Sequence, residues 1–158
     1  MALLDEVVDA HGGRERWAAA SKIRARVRSG GLLLRTRVSG NRLAEAQVEV
    51  AVDRIRSAAV PFPGPGRRAV FEDGAVRIET VEGETVESRS DPRPCFFGRS
   101  GLRRNLRWDD LDTIYFAGYA WWNYLNAPYL LTREGVEVAE GEPWREGDQT
   151  WRRLDVTF

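Results

Sequence analysis

Three aspartates stand close together in the segment Trp108-Asp109-Asp110-Leu111-Asp112. An aspartate whose pKa is raised in an apolar cleft can act as a general acid, so this cluster is the first candidate for chemistry. Aspartates at the start of a helix more commonly cap its free N–H groups and interact with the positive end of the helix dipole. The apolar run that follows favours capping, and acid catalysis is kept as the alternative.

His11 and Cys95 are the only histidine and the only cysteine of the chain. His11 precedes Gly12 and Gly13, a sequence typical of a helix end, where an imidazolium interacts favourably with the negative end of the dipole. Nothing close to Cys95 in sequence supplies a base, so it is interpreted as a small core residue. A tetrahedral cysteine zinc site and an intrachain disulfide are excluded. We therefore predict no metal, no other cofactor and no catalytic residue.

The segment from Trp108 to Leu131 holds half of the aromatic residues of the protein and all of its tyrosines. Its apolar residues cover most of a helical circumference, which predicts a helix that is buried on more than one side. The helix should end near Asn126, because Pro128 disfavours a helical conformation in the residue before it. We expect this aromatic helix to lie against a concave surface.

Length and charge limit the possible classes of protein. A chain of 158 residues forms one domain, 1–158, with a substantial core. Its 24 basic and 24 acidic residues give no net charge, which argues against non-specific binding to nucleic acid. The sequence has neither an export signal nor an apolar run long enough to span a membrane, so we expect a cytoplasmic location without a transmembrane segment.

The N-terminal segment, up to Ala20, is typical of two short helices around Gly12-Gly13, with Trp17 as a buried anchor. From Lys22 the apolar period changes to two, which predicts strands over 22–28, 32–38 and 44–52. A three-residue turn at 39–41 would pair the last two strands, with Leu34 opposite Ala46. The proline-rich segment 61–66 is predicted to be a loop.

Further strands are predicted over 68–72, 75–79, 85–90, 136–142 and 150–158. Asp73-Gly74 is a strong hairpin signal, and a two-residue turn there pairs Phe71 with Val76. The order is helices, six or seven antiparallel strands, the aromatic helix and two more strands, which is an α+β fold.

Arginines occupy outward positions of the first strands, for example Arg24, Arg26 and Arg35. They are typical of a solvated sheet face on which arginine pairs across strands with Glu45 and Glu49. The alternative, a basic stripe that binds nucleic acid, is less favoured because the aromatic residues that would stack on bases lie elsewhere in the sequence.

Several segments resemble bacterial members of the LolA-like superfamily, the outer-membrane lipoprotein-sorting carriers, and most closely a branch without export signals. They are AHGGRERW (10–17) with the following KIRA, PFPGPG (61–66), the aromatic segment 108–131 and WRRLDVTF (151–158). The resemblance implies a curved antiparallel half-barrel sheet with N-terminal helices, and an aromatic helix over a concave apolar face that holds acyl chains. This chain departs from the pattern in having no export signal and in stopping at Phe158, where relatives continue with further strands.

The leading hypothesis is a protein that binds a small hydrophobic molecule or a lipid acyl chain between the sheet and the aromatic helix. The hydroxyls of Tyr115, Tyr119 and Tyr124 or the amide of Asn123 can anchor polar groups of the ligand. The alternatives are an enzyme that orients an apolar substrate in the same cavity, and a structural or interaction domain with a filled core. The predicted ligand-binding residues are Leu34, Val48, Val50, Phe71, Ile78, Tyr115, Phe116, Tyr119 and Trp122.

The last predicted strand, 149–158, stays apolar on one face as far as Phe158. An edge strand of this kind presents unpaired backbone groups and an apolar surface. We expect a homodimer, or a partner strand, to pair there, since two-fold dimers are the commonest homo-oligomers.

Overall fold

The computed structural model describes residues 2–38, 42–96 and 107–158. The chain divides into two compact units: Ser21–Leu125 forms the larger, and Met1–Ala20 together with Asn126–Phe158 forms the smaller. Helices and antiparallel strands occur in both units, which confirms the predicted α+β class.

The larger unit contains a six-stranded antiparallel sheet whose strands follow one another in chain order. Its two edge strands do not pair with each other in the described part of the chain, so the sheet is open. The strands are β1 (Lys22–Val27), β2 (Ala46–Ala51), β3 (Arg56–Val60), β4 (Arg67–Glu72), β5 (Ala75–Thr80) and β6 (Thr85–Arg89).

The β4–β5 hairpin has the predicted register, with Phe71 opposite Val76 and Ala69 opposite Ile78. Its turn residues Asp73 and Gly74 have φ angles of 46° and 86°. A two-residue turn of this type needs positive φ at both positions, which aspartate tolerates and glycine adopts without strain. The Asp-Gly pair therefore determines the register.

The strand predicted over 32–38 is wrong, because Leu32–Arg37 forms a short helix, α3. The amide of Arg35 donates to the carbonyl of Gly31 and that of Val38 to Leu34, both with helical spacing. Consecutive leucines and arginines are good helix formers, so apolar alternation over a few residues was a weak signal here.

The predicted pairing of 32–38 with 44–52 is consequently wrong as well. β2 pairs with β1 instead, with Val48 opposite Ala25 and Val50 opposite Ile23. The predicted turn at 39–41 lies outside the described residues.

Alternation along the strands gives the sheet two faces. The buried face carries Ala46, Val48, Val50, Ser57, Ala59, Ala69, Phe71, Val76 and Ile78. The opposite face, called here the arginine face, carries Lys22, Arg24, Arg26, Gln47, Glu49, Arg56, Ala58, Val60, Arg68, Val70, Glu72, Arg77 and Glu79. The predicted cross-strand pairs are confirmed, with Arg24 Nε 3.1 Å from Glu49 and Arg26 Nε 3.8 Å from Glu45.

The aromatic helix is confirmed as α4, Asp110–Asn126. Asp109 caps its first turn, because its carboxylate accepts a 2.7 Å hydrogen bond from the amide of Asp112. α4 contacts the buried face of the sheet where Ser57 Oγ donates to the carbonyl of Gly118 over 2.9 Å. The glycine allows the helix backbone to approach β3 and β4 closely.

The smaller unit contains α1 (Leu3–Ala10), α2 (Arg14–Ala18), a 3-10 turn (Tyr129–Thr132) and the hairpin of β7 (Glu137–Glu146) and β8 (Gln149–Thr157). Trp17 is half-buried and stacks on Tyr129, with ring centroids 4.0 Å apart and planes 4° from parallel. The hydroxyl of Tyr129 donates to the carbonyl of His11 over 3.0 Å.

Candidate functional site

A cleft of about 980 Å³ lies in the larger unit beside α4. Four parts of the chain form its wall: the residue before β3, the end of β4 with the β4–β5 turn, the segment after β6 and one side of α4. The lining residues are Ile55, Phe71, Asp73, Gly74, Ser90, Asp91, Arg93, Phe96, Tyr115, Phe116, Tyr119, Ala120, Asn123 and Tyr124.

Aromatic rings form the inner wall of this cleft. The ring of Phe71 meets those of Tyr115 and Tyr119 edge to face, at centroid distances of 5.8 and 5.9 Å. Phe96 approaches Tyr115 at 5.4 Å from the segment that follows β6. Edge-to-face contacts are the preferred arrangement of such rings, so the wall is held in a defined geometry.

Three aromatic residues of α4 that line the cleft are exposed to solvent. The exposed fractions are 39% for Phe116, 51% for Tyr119 and 77% for Tyr124. The other side of the same helix is buried, with Leu111 and Ile114 almost completely covered. One side of α4 is therefore packed against the rest of the larger unit. The other side presents aromatic rings to the cleft.

Polar groups surround the aromatic wall. Asp73, Asp91, Arg93 and Asn123 all line the cleft. Burial raises the pKa of Tyr115, and Arg93 opposes that effect only in part. The phenol of Tyr115 is therefore neutral at physiological pH and able to donate a hydrogen bond.

The aspartates at the start of α4 do not line the cleft but take part in ion pairs. The guanidinium of Arg89 contacts Asp109 over 2.8 Å and also contacts Asp112, which is buried. The hydrogen bond to Asp109 raises the pKa of Arg89. Asp110 forms an ion pair with Arg42. These carboxylates fix the start of α4, as the capping interpretation predicts for Asp109.

The predicted ligand-binding residues fall into two groups. Phe71, Tyr115, Phe116 and Tyr119 line the cleft together. The other predicted residues lie away from it: Val48, Val50 and Ile78 in the buried face of the sheet, Trp122 buried with its indole donating to the carbonyl of Arg54 over 2.8 Å, and Leu34 half-buried in α3.

Phe96, Asp91 and Arg93 also belong to this wall, although no sequence pattern predicted it. They belong to the segment after β6. The sequence shows only that this segment comes before α4 along the chain. The alternation of Arg89 with its neighbours gives no indication that this segment turns toward Tyr115. The Asp-Gly turn was predicted, but its place beside α4 was not.

No group of His, Cys, Asp or Glu side chains is arranged to hold a metal ion within residues 2–38, 42–96 and 107–158. In the same ranges, no helix is both long enough and apolar enough to cross a membrane. No protein-family model, no curated protein and no solved structure matches this chain.

Proposed function

We propose that this protein binds a small hydrophobic molecule in the cleft beside α4. The observation that carries the proposal is the row of exposed rings at Phe116, Tyr119 and Tyr124 on a cleft of about 980 Å³. Ligand sites are typically apolar clefts of roughly 300–1,000 Å³ with a few polar groups, and this cleft has that size and composition.

Burial of apolar surface supplies the driving force for such binding. Removing apolar area from water contributes about 25 cal/mol per Å², so covering several half-exposed rings contributes several kcal/mol. The inner wall of Phe71, Tyr115 and Tyr119 is already packed by edge-to-face contacts. Binding therefore requires little rearrangement of the wall, which lowers its entropic cost.

Polar groups of the cleft can orient the ligand. The neutral phenol of Tyr115 donates a hydrogen bond, and Arg93 adds a cationic donor on the same wall. The side-chain amide of Asn123 donates one hydrogen bond to the carbonyl of Tyr119 over 2.9 Å, and a side-chain amide has a second N–H and an oxygen with which it can make further bonds. A ligand with a hydrophobic body and one or two hydrogen-bond acceptors matches these polar groups of the cleft.

We also propose that the larger unit is a LolA-like half-barrel with α4 over its concave face. The six-stranded antiparallel meander and the contacts of Gly118 with Ser57 support this relation. An acyl chain, the ligand class of those carriers, is then one form of the hydrophobic ligand. A planar aromatic compound is the other, and the two are separated by experiment.

The test uses neutral probes, so that charge does not contribute. Nile red and 1-aminoanthracene represent planar ligands and dodecanol represents an acyl chain, with dodecanol measured by displacement of Nile red. We expect saturable binding, weakened about tenfold by Tyr119→Ala, which corresponds to about 1.4 kcal/mol. Val81→Ala is the control, because Val81 does not line the cleft and its exposed fraction of 52% is similar to the 51% of Tyr119. Absence of saturable binding, or equal loss in both variants, contradicts the proposal.

A second proposal concerns the hairpin β7–β8, which we propose pairs with a second copy of the chain through residues 149–158. β7 and β8 pair only with each other in the described part of the chain, so each presents an outer edge. Trp144 and Trp151 lie opposite one another across the hairpin, and both are exposed. A two-stranded ribbon is marginally stable alone, so a further strand would stabilise it.

Sedimentation at roughly 10 µM tests the dimer, since that concentration populates dimers of micromolar affinity. We expect a species of twice 17.9 kDa. The double variant Trp144→Ser with Trp151→Ser should dissociate it into monomers. Val86→Ser, which also removes an exposed apolar side chain, should leave the mass unchanged. A single species of 17.9 kDa in the unmodified protein contradicts the interface.

A further inference from the structure

A second cleft, of about 520 Å³, lies on the arginine face of the sheet, on the opposite side from α4. We propose that it binds a small organic oxyanion, a carboxylate or phosphate ester with a compact apolar body. Its lining residues are Arg24, Ala25, Arg26, Gln47, Val48, Glu49, Arg56, Ala58, Val60 and Arg68. Four arginines and one glutamate line the same cleft.

The ion pairs of this face leave positive charge in excess. Glu49 is shared by Lys22 and Arg24, each at 3.1 Å. Glu79 is shared in the same way by Arg68 and Arg77. Glu72 is shared by Arg54, Arg56 and Arg77. Every one of these carboxylates thus serves two or more cations. A guanidinium has five N–H donors, so the glutamates cannot satisfy all donors of the face.

Two of these carboxylates stay ionised and hold their cationic partners in place. Hydrogen bonds from Arg77 and Arg68 lower the pKa of Glu79 although burial raises it. Hydrogen bonds from Lys22 and Arg24 likewise outweigh burial and lower the pKa of Glu49. Both glutamates are therefore ionised at neutral pH and hold the neighbouring guanidiniums in fixed positions. A preformed cationic site loses less entropy when it binds an anion.

Strand register places arginines on both sides of a floor formed by Gln47 and Val60. Arg26 of β1 lies opposite Gln47 of β2, which lies opposite Val60 of β3. Arg68 follows on β4, one position from the Ala59–Ala69 pair. Arg26 and Arg68 thus stand three strand spacings apart, about 14 Å between backbones. Arginine side chains that reach inward from both strands can enclose one small anion.

The floor between these arginines is apolar on the Arg68 side, and Gln47 adds a polar group on the Arg26 side. Ala58 is buried there, and Val60 remains exposed beside it. An inorganic ion would leave Val60 in contact with water, whereas an apolar group attached to the anion would cover it. The chemistry therefore favours an oxyanion that carries an apolar body, with the planar guanidinium fork binding the carboxylate or phosphate in a bidentate manner.

Isothermal titration at low salt tests this site with phenyl phosphate, hexanoate and inorganic phosphate. We expect saturable binding of phenyl phosphate or hexanoate, and the stronger of the two identifies the oxyanion. Inorganic phosphate should bind more weakly because it lacks the apolar body. The affinity should fall as salt is added, since the site is exposed to solvent.

The variant Arg26→Gln with Arg68→Gln should weaken this binding by about tenfold or more, because it removes two guanidiniums that can bind the oxyanion through charge-assisted hydrogen bonds. Its control is Arg14→Gln with Arg153→Gln, which removes two exposed arginines, each paired with one aspartate in the smaller unit. Arg26→Lys is a milder second variant that keeps the charge but removes the fork, and it should weaken binding several-fold.

Three results would overturn the proposal: no saturable binding of either organic anion, equal weakening in the control variant, or binding of a short oligothymidylate without binding of phenyl phosphate. Unaltered Nile red binding in the presence of saturating phenyl phosphate separates this cleft from the aromatic one. Failure of one site therefore leaves the test of the other intact.

Discussion

Gly118 of α4 lies so close to Phe71 of β4 that a Cβ at position 118 would stand 2.6 Å from Phe71 Cβ and 2.9 Å from Ser57 Oγ. Real Cβ atoms do not approach other atoms so closely, so only glycine allows this helix position. The contact determines which side of α4 faces the sheet. It therefore also determines which aromatic rings reach the cleft.

Gly118→Ala should destabilise the larger unit. An alanine normally favours a helix over glycine by about 1 kcal/mol, but overpacking of a core costs about 1–3 kcal/mol. Because the clash is with a side-chain Cβ and a buried hydroxyl, we expect a net loss of roughly 1–2 kcal/mol in the free energy of unfolding, measured by urea denaturation. Gly30→Ala is the control, since a Cβ there meets no atom within 4 Å. Unchanged stability of Gly118→Ala would show that the helix does not sit at this distance.

The fold was predictable where the sequence has a single local solution. Asp73-Gly74 fits one turn type, and that turn gives the observed register of β4 and β5. Leu32–Arg37 was not predictable, because three successive leucines followed by arginine and threonine satisfy a short strand and a short helix equally well. β3, Arg56–Val60, was not singled out, since its alanines carry little strand preference and it leads into a proline-rich loop.

The candidate site was predictable in composition and not in geometry. The aromatic and apolar residues after Trp108 predicted the helix α4. Their distribution around the whole helix, however, does not show which side is buried. Which side is buried depends on Gly118. The small size of this residue indicates the buried side only when Phe71 is known to lie opposite it. The wall contributed by Phe96 depends on tertiary contacts that no local pattern encodes.

Tyr129→Phe should destabilise the smaller unit by about 1 kcal/mol, the usual net contribution of a neutral hydrogen bond. The change removes the hydroxyl that donates to the carbonyl of His11 and keeps the ring stacked on Trp17. Tyr129→Leu removes the stacking as well and should cost about 0.5–1.5 kcal/mol more. Urea denaturation followed by circular dichroism measures both. Tyr124→Phe, at a highly exposed ring, should stay within about 0.5 kcal/mol.

Asp112→Asn should be the most destabilising of the single changes considered. The side chain of Asp112 is only 1% exposed and accepts a hydrogen bond from Arg89, so the variant leaves a partly buried guanidinium with less compensation. Removing one partner of a buried pair costs about 3–5 kcal/mol, and the remaining contact of Arg89 with Asp109 places this case at the lower end. Asp5→Asn breaks an exposed pair with Arg14 and should cost at most about 1 kcal/mol. Equal losses in the two variants would show that burial of Asp112 does not determine the effect.

Glu79 should make the stability of the sheet dependent on acid pH. Burial raises the pKa of its carboxyl, but the hydrogen bonds from Arg77 and Arg68 outweigh burial, so the folded pKa lies below the ordinary value of 4.5. A carboxyl with a lowered folded pKa contributes stability above the unfolded pKa and loses it as pH falls through the folded value. At pH 7 we expect Glu79→Gln to lower the free energy of unfolding by about 1.5–3 kcal/mol, the range for hydrogen bonds to charged groups. The difference between the two proteins should shrink steadily as the pH falls below 4.5. Denaturant titrations at a series of pH values measure this, with Glu87→Gln at an exposed position of β6 as the control. A difference that stays constant from pH 7 into the acid range would mean that the ionised carboxylate of Glu79 is not what stabilises the arginine face.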